Sequence, residues 1–196
     1  MPPAQRNTAR PAQTGRLLRY LRSGRTPLAL AGGLAEEVRV RLLAQEHLRH
    51  AYGSVLRMPR PETFIFLVGC YNSGTTLFHR ILASHPDIAT PPREGVRFTR
   101  HLSNLEDNGH HMVWDERWRS LAVPPGDPKA VADDVWHDWS VFHRRDALAF
   151  MDKSVANTAR MAWLDEAFPG SRFIGLHRNG YCIAEGLYRR SRPPEW

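Results

Sequence analysis

Gly69-Cys70-Tyr71-Asn72-Ser73-Gly74-Thr75-Thr76 is the segment whose residue types and spacing best fit a chemical task. It has the spacing of a phosphate loop, with Thr75 where the Walker lysine would stand. Glycines let the backbone approach oxygen atoms closely. Successive N–H groups form an anion nest, and a following helix adds its N-terminal dipole. The hydroxyls of Ser73, Thr75 and Thr76 add donors. In nucleoside triphosphatases the missing lysine bridges the β- and γ-phosphates, and the adjacent hydroxyl holds Mg²⁺. Its absence disfavours ATP or GTP hydrolysis and favours a nucleotide without a γ-phosphate. The plain alternative is an ordinary strand-to-helix turn.

The elements around this loop must position it. Residues 63–68 form a continuous apolar run, as expected of a strand buried on both faces of a parallel sheet. Residues 75–84 place apolar side chains at 77, 78, 81 and 82, which is helical spacing, and His85-Pro86 closes that helix. Residues 158–168 read as a helix stopped by Pro169-Gly170, 172–177 as a second buried strand, and 180–190 as a further helix. Residues 87–150 are polar, rich in Trp and poor in periodicity, and helical in parts. The pattern predicts a three-layer α/β fold with a mostly parallel sheet.

Residues 1–60 differ in character. They hold 11 Arg, no Lys and 3 Glu, whereas the remainder holds 16 basic and 17 acidic residues. The net charge of +7 therefore belongs to the N-terminal segment. Residues 1–15 lack periodicity and read as disordered. Leu17, Leu18 and Leu21, then Leu34, Val38, Leu42, Leu43, Leu48 and Leu56, give helix-like stripes that end at Pro59 and Pro61. The expectation is a basic helical extension over 1–60 and a phosphate-loop domain over 61–196. A solvated extension is the first reading, and weak contact with an acidic membrane surface is the second. The near-neutral remainder argues against nucleic acid as a partner.

Other constellations carry less. His101, Glu106, Asp107, His110 and His111 lack a standard ligand spacing, so no metal is expected. Trp114, Trp118, Trp136 and Trp139 read as core before they read as a sugar-stacking wall. Two cysteines, Cys70 and Cys182, read as free thiols of a cytoplasmic protein. No apolar run reaches membrane-spanning length.

Three segments, in order, then carry a resemblance. Leu67 to Leu77 followed by Ile81-Leu-Ala-Ser-His-Pro-Asp87 resembles the 5′-phosphosulfate loop of the sulfotransferase family. Phe173-Ile-Gly-Leu-His-Arg-Asn-Gly180 is similar to the strand and arginine that hold a 3′-phosphate there. Asp152-Lys-Ser154 with Asn157 is similar to the family's Glu-Lys-Ser/Thr-Pro segment. The resemblance covers roughly residues 62–190 and implies 3′-phosphoadenosine-5′-phosphosulfate (PAPS) as co-substrate, with no metal. It implies that Asn72, Ser73, Gly74, Thr75, Thr76 and Leu77 cradle the 5′-phosphosulfate and that Arg178 grips the 3′-phosphate. Arg178 directly follows a predicted strand, at the carboxyl end where α/β ligands sit. Glu94 is implied as the base and Lys153 as the cation that stabilises transferred charge. Without the resemblance, Glu94 reads as a loop carboxylate paired with Arg93. Lys153 likewise reads as half of an ion pair with Asp152 or Glu166.

The chain departs from the family pattern at Asn72, where many members carry Lys or Arg, and at Gly186, where a 3′-phosphate serine is common. The family also continues with helices beyond the position of Trp196, so a domain short at its C-terminus is expected. The implied activity is sulfuryl transfer from PAPS to a hydroxyl or amine of a small-molecule, carbohydrate or lipid-linked acceptor. The alternatives are an inactive relative that binds PAPS or its product PAP, and, further off, a P-loop kinase.

Overall fold

The computed structural model of the chain describes residues 38–39, 41–43, 45–56, 58–104, 121, 124 and 126–190. Two compact units divide between Leu42 and Leu43, and the second contains every element below. The helix expected over 16–23, the disorder expected over 1–15, Trp114, Trp118, His110 and His111 lie outside the described residues.

Among the described residues four strands build one sheet, all parallel, in the order β2-β3-β1-β4. They are β1 (Thr63–Gly69), β2 (Ile88–Ala89), β3 (Ala149–Asp152) and β4 (Arg172–Leu176). The expected three-layer α/β class is therefore observed, with the sheet wholly rather than mostly parallel among the described residues. Among the described residues, helices α1 (Glu46–Leu56), α2 (Thr75–Leu82), α3 (Pro128–Ser140), α4 (Met161–Ala167) and α5 (Gly180–Arg190) accompany the strands. Short 3₁₀ turns occupy Gly95–Phe98 and Val155–Arg160.

β1 is central because it is apolar along its whole length, as a strand flanked on both edges must be. Phe64, Phe66, Leu67 and Val68 are all buried. It pairs with β3 from Thr63↔Ala149 to Phe66↔Asp152, and with β4 from Ile65↔Arg172 to Gly69↔Leu176. One face of the sheet meets α3 through rings. Phe64 packs edge-on to Trp136 at 5.4 Å, and Trp139 stacks on Phe150 at 5.8 Å. Both tryptophans are thus core, as expected. Asp127 caps α3 and Pro128 takes its first turn, where a missing N–H costs nothing.

α1, the last helix of the expected extension, belongs to this unit. Its Arg49 is buried and meets Asp138 of α3 at 3.4 Å. Gly53 lets the two helices approach closely: a Cβ there would lie 3.0 Å from the His137 carbonyl.

One expectation fails. β4 is an edge strand among the described residues, exposed or half-buried along its length rather than buried. Of the helically spaced apolar positions on α2, Leu77 and Ile81 are exposed, while Phe78 and Leu82 are half-buried. The short strands β2 and β3 had no counterpart in the sequence reading.

Candidate active site

Three strand ends converge on one region. The loop 69–74 leaves β1, the segment 90–94 leaves β2, and Lys153 leaves β3. In a parallel sheet these carboxyl ends lie on the same side.

The loop is held by its glycines. Gly69 has φ +148°, and a Cβ there would lie 2.6 Å from the Leu176 carbonyl, so β4 can approach only glycine. Asn72 (φ +60°) and Gly74 (φ +102°) also adopt left-handed backbone, which turns the chain into α2. Thr158 pins the loop's start: its hydroxyl accepts from Gly69 N at 2.9 Å and lies 3.2 Å from Gly69 O.

Ser73 is spent inside the loop. Its hydroxyl donates to Cys70 O at 2.7 Å and its N–H to the same oxygen at 3.2 Å. The donors left for an anion are the first-turn N–H groups at Thr75 and Thr76, which have no intrahelical acceptor, and their two hydroxyls. Thr75 is buried; Thr76 and Gly74 are exposed.

Arg178 joins the loop from the end of β4. Its Nη1 donates to Asn72 O at 3.0 Å. The Asn72 carboxamide turns the other way, towards α5, where a Cβ on Gly186 would lie 3.1 Å from Nδ2. Asn72 Nδ2 is buried and has no hydrogen-bond partner. The two positions that depart from the family pattern therefore touch one another. Leu77 is exposed beside this loop.

The acid and the lysine nominated separately from the sequence form a pair. Lys153 Nζ donates to Glu94 Oε1 at 2.7 Å, and both side chains are largely shielded from solvent, at 10% and 16% exposure. Among the described residues the ion-pair partner of Glu94 is Lys153 and not Arg93, and that of Lys153 is Glu94 and not Asp152 or Glu166. An ion pair so shielded is held at a desolvation cost that only good geometry offsets.

Asp152 supplies that geometry. It is fully buried beneath the pair. Its Oδ1 accepts from Gly95 N at 2.7 Å and from the Ser154 hydroxyl at 2.9 Å, and its Oδ2 from Asn157 Nδ2 at 2.7 Å. Ser154 Oγ in turn accepts from Val96 N at 3.2 Å, and Trp139 Nε1 donates to Gly95 O at 3.0 Å. One carboxylate thus clamps the backbone beside Glu94 and the backbone beside Lys153. Gly95 must be glycine, because a Cβ would come within 2.6 Å of Asp152 Oδ1 and 2.8 Å of Trp139. Burial pushes Asp152 up to about 6, with its hydrogen bonds from Gly95 and Ser154 opposing the rise. Burial also lowers the Arg160 guanidinium to about 10, which leaves it charged at neutral pH.

His79 on α2 escaped the sequence reading. Its Nε2 lies 2.7 Å from Thr90 Oγ1. Burial, then the charges of Lys153 and Arg80, lower it to about 4, so the ring is neutral at pH 7. Its position one turn after Thr75 and Thr76 was the available signal. Among the described residues no group of three or more His, Cys, Asp or Glu side chains is arranged to hold a metal, and no helix is long and apolar enough to cross a membrane.

A parallel α/β domain with an anion-ready loop and a shielded acid–lysine pair at one sheet edge is the frame of a group-transfer domain. Residues 64–192 match the model of the sulfotransferase family, and the chain belongs to that family. No curated protein and no solved structure matches it. Sulfuryl transfer is the general reaction of the family.

Proposed function

We propose that the domain binds PAPS and transfers its sulfuryl group to a hydroxyl or amine. The observation that carries this is the Glu94–Lys153 pair at 2.7 Å, set on the clamp of Asp152 beside the loop. PAPS supplies the sulfuryl group and leaves as PAP. The first turn of α2 would receive the 5′ end through the N–H groups and hydroxyls of Thr75 and Thr76. Arg178 would take the 3′-phosphate, a task suited to a planar, permanently charged fork. The left-handed loop cradle, followed by the N-terminus of α2, suits a polyanion.

Glu94 takes the proton of the acceptor hydroxyl or amine as the new bond to sulfur forms and the old sulfur–oxygen bond to the nucleotide breaks. Lys153 sits where it can offset charge growing on the sulfuryl oxygens. No charged side chain on the loop shares this work, because residue 72 is Asn.

Calorimetry with PAP and then ATP tests the nucleotide half. PAP should bind at micromolar affinity, and Arg178→Ala should weaken it roughly ten- to hundredfold, the usual cost of a hydrogen bond to a charged group. ATP binding tighter than PAP sinks the reading. Labelled PAPS presented with glycan, lipid and phenol acceptors tests the other half; PAP binding without transfer to any of them leaves a nucleotide-binding relative without turnover.

A further inference from the structure

We propose that His79 is a positioning residue that ties the loop helix to the segment carrying Glu94. The proposal rests on the reading of Glu94 given above.

α2 begins at the loop, so its placement follows the loop. The segment 90–94 begins where β2 ends, and β2 holds it only through a two-residue pairing, Ile88↔Ala149 and Ala89↔Phe150. A strand that short fixes little beyond its own end. The next restraint is Gly95 N on Asp152, at the far side of Glu94. Between these lies Thr90, and the side-chain bond that links it to another element is the one to His79 at 2.7 Å. The hydroxyl of Thr90 is itself aimed at Pro91 O, 3.3 Å away. The 2.7 Å contact is satisfied in either tautomer, and with the Thr90 hydrogen on Pro91 O it is His79 Nε2 that donates and Nδ1 that keeps the lone pair.

The ring stays neutral through the working range, so this donor does not switch. A charged imidazole would place a second cation near Lys153, whose charge already disfavours it. His79 thus links two halves of the site. One half, the loop and α2, would hold the nucleotide. The other, Thr90 to Glu94, presents the carboxylate to Lys153.

Three variants test this. His79→Phe keeps the ring's bulk and deletes the donor. His79→Gln keeps a donor near the Nε2 position. Thr90→Val deletes the acceptor. Misplacing a reacting group by about 1 Å costs up to ~100-fold, so His79→Phe and Thr90→Val should each lower kcat for sulfuryl transfer roughly tenfold. KM for PAPS should change less than about twofold. The double variant should lose no more than either single one, and His79→Gln should recover most of the rate.

A second readout needs no turnover. The chain contains only two lysines, Lys129 and Lys153, so ¹⁵N-lysine labelling gives two ammonium signals, assigned by Lys129→Arg. The Lys153 signal should shift in His79→Phe towards its position in Glu94→Gln, and return in His79→Gln. A Lys153 signal unmoved by His79→Phe overturns the proposal, as do losses that multiply in the double variant. If the protein transfers no sulfuryl group at all, the lysine signal still decides.

Discussion

Glu94→Gln is expected to cut sulfuryl transfer by at least about a hundredfold, the lower end of what a positioned base contributes. PAP affinity should stay within about threefold of the wild type, because the loop, α2 and Arg178 are untouched. Glutamine keeps the shape and one carbonyl oxygen for Lys153 Nζ, so the 2.7 Å contact can persist as an ordinary hydrogen bond. What it removes is the proton acceptor and the negative charge opposite the lysine. Those two losses separate experimentally. Lys153→Met also breaks the pair but leaves the carboxylate, and an acceptor already ionised at the assay pH needs no base. A phenol of low pKa should therefore rescue Glu94→Gln and fail to rescue Lys153→Met. Transfer by Glu94→Gln within threefold of the wild type, on acceptors of high pKa, removes Glu94 from the mechanism.

That pair shows what the sequence carried and what it could not. Each member was visible alone, Glu94 after the loop helix and Lys153 after an acidic residue. Their contact was not, since 59 residues separate them. It arises because β2 and β3 run parallel side by side, and those strands are only two and four residues long. Segments that short leave no period to read. β1 was legible for the opposite reason, being seven apolar-rich residues bounded by Gly69. β4 misled because Phe173, Ile174 and Leu176 look like a buried strand, whereas burial depends on having neighbours on both edges. The loop's spacing was plain in the sequence, but the inward turn of Ser73 and the meeting of Asn72 with Gly186 are products of tertiary approach. Asp152 stood in a recognised segment, yet its place as the clamp under both Glu94 and Lys153 needed the fold.

Asp152→Ala is expected to be the most destabilising single change in the site, and Asp152→Asn close to neutral at pH 7.5. Alanine orphans the Gly95 N–H, the Ser154 hydroxyl and Asn157 Nδ2, all bonded to one buried carboxylate. Each buried donor left unsatisfied costs about 1–3 kcal/mol. Against this stands the cost of the buried charge. A carboxyl raised from 3.8 to about 6 opposes folding by about 3 kcal/mol above pH 6. The folded state binds the extra proton between those two values, so the favourable part is present at low pH and is lost as pH rises through 6. Alanine should thus lose more at pH 4.5 than at pH 7.5. Asparagine keeps an oxygen for Gly95 and Ser154, and its amide can meet Asn157 Oδ1, which is buried without a partner, once that side chain flips. It also removes the charge. His79 acts in the same window with the opposite sign: lowered to about 4, it contributes stability above 6.5 that is lost on acidification. Wild-type stability should therefore vary little between pH 4.5 and 7.5 through these two groups, whereas Asp152→Asn should weaken on acidification and His79→Phe should strengthen. Urea midpoints at the two pH values decide. An Asp152→Asn protein as unstable as Asp152→Ala would mean that the carboxylate's charge, and not its oxygens, holds Glu94 and Lys153 together.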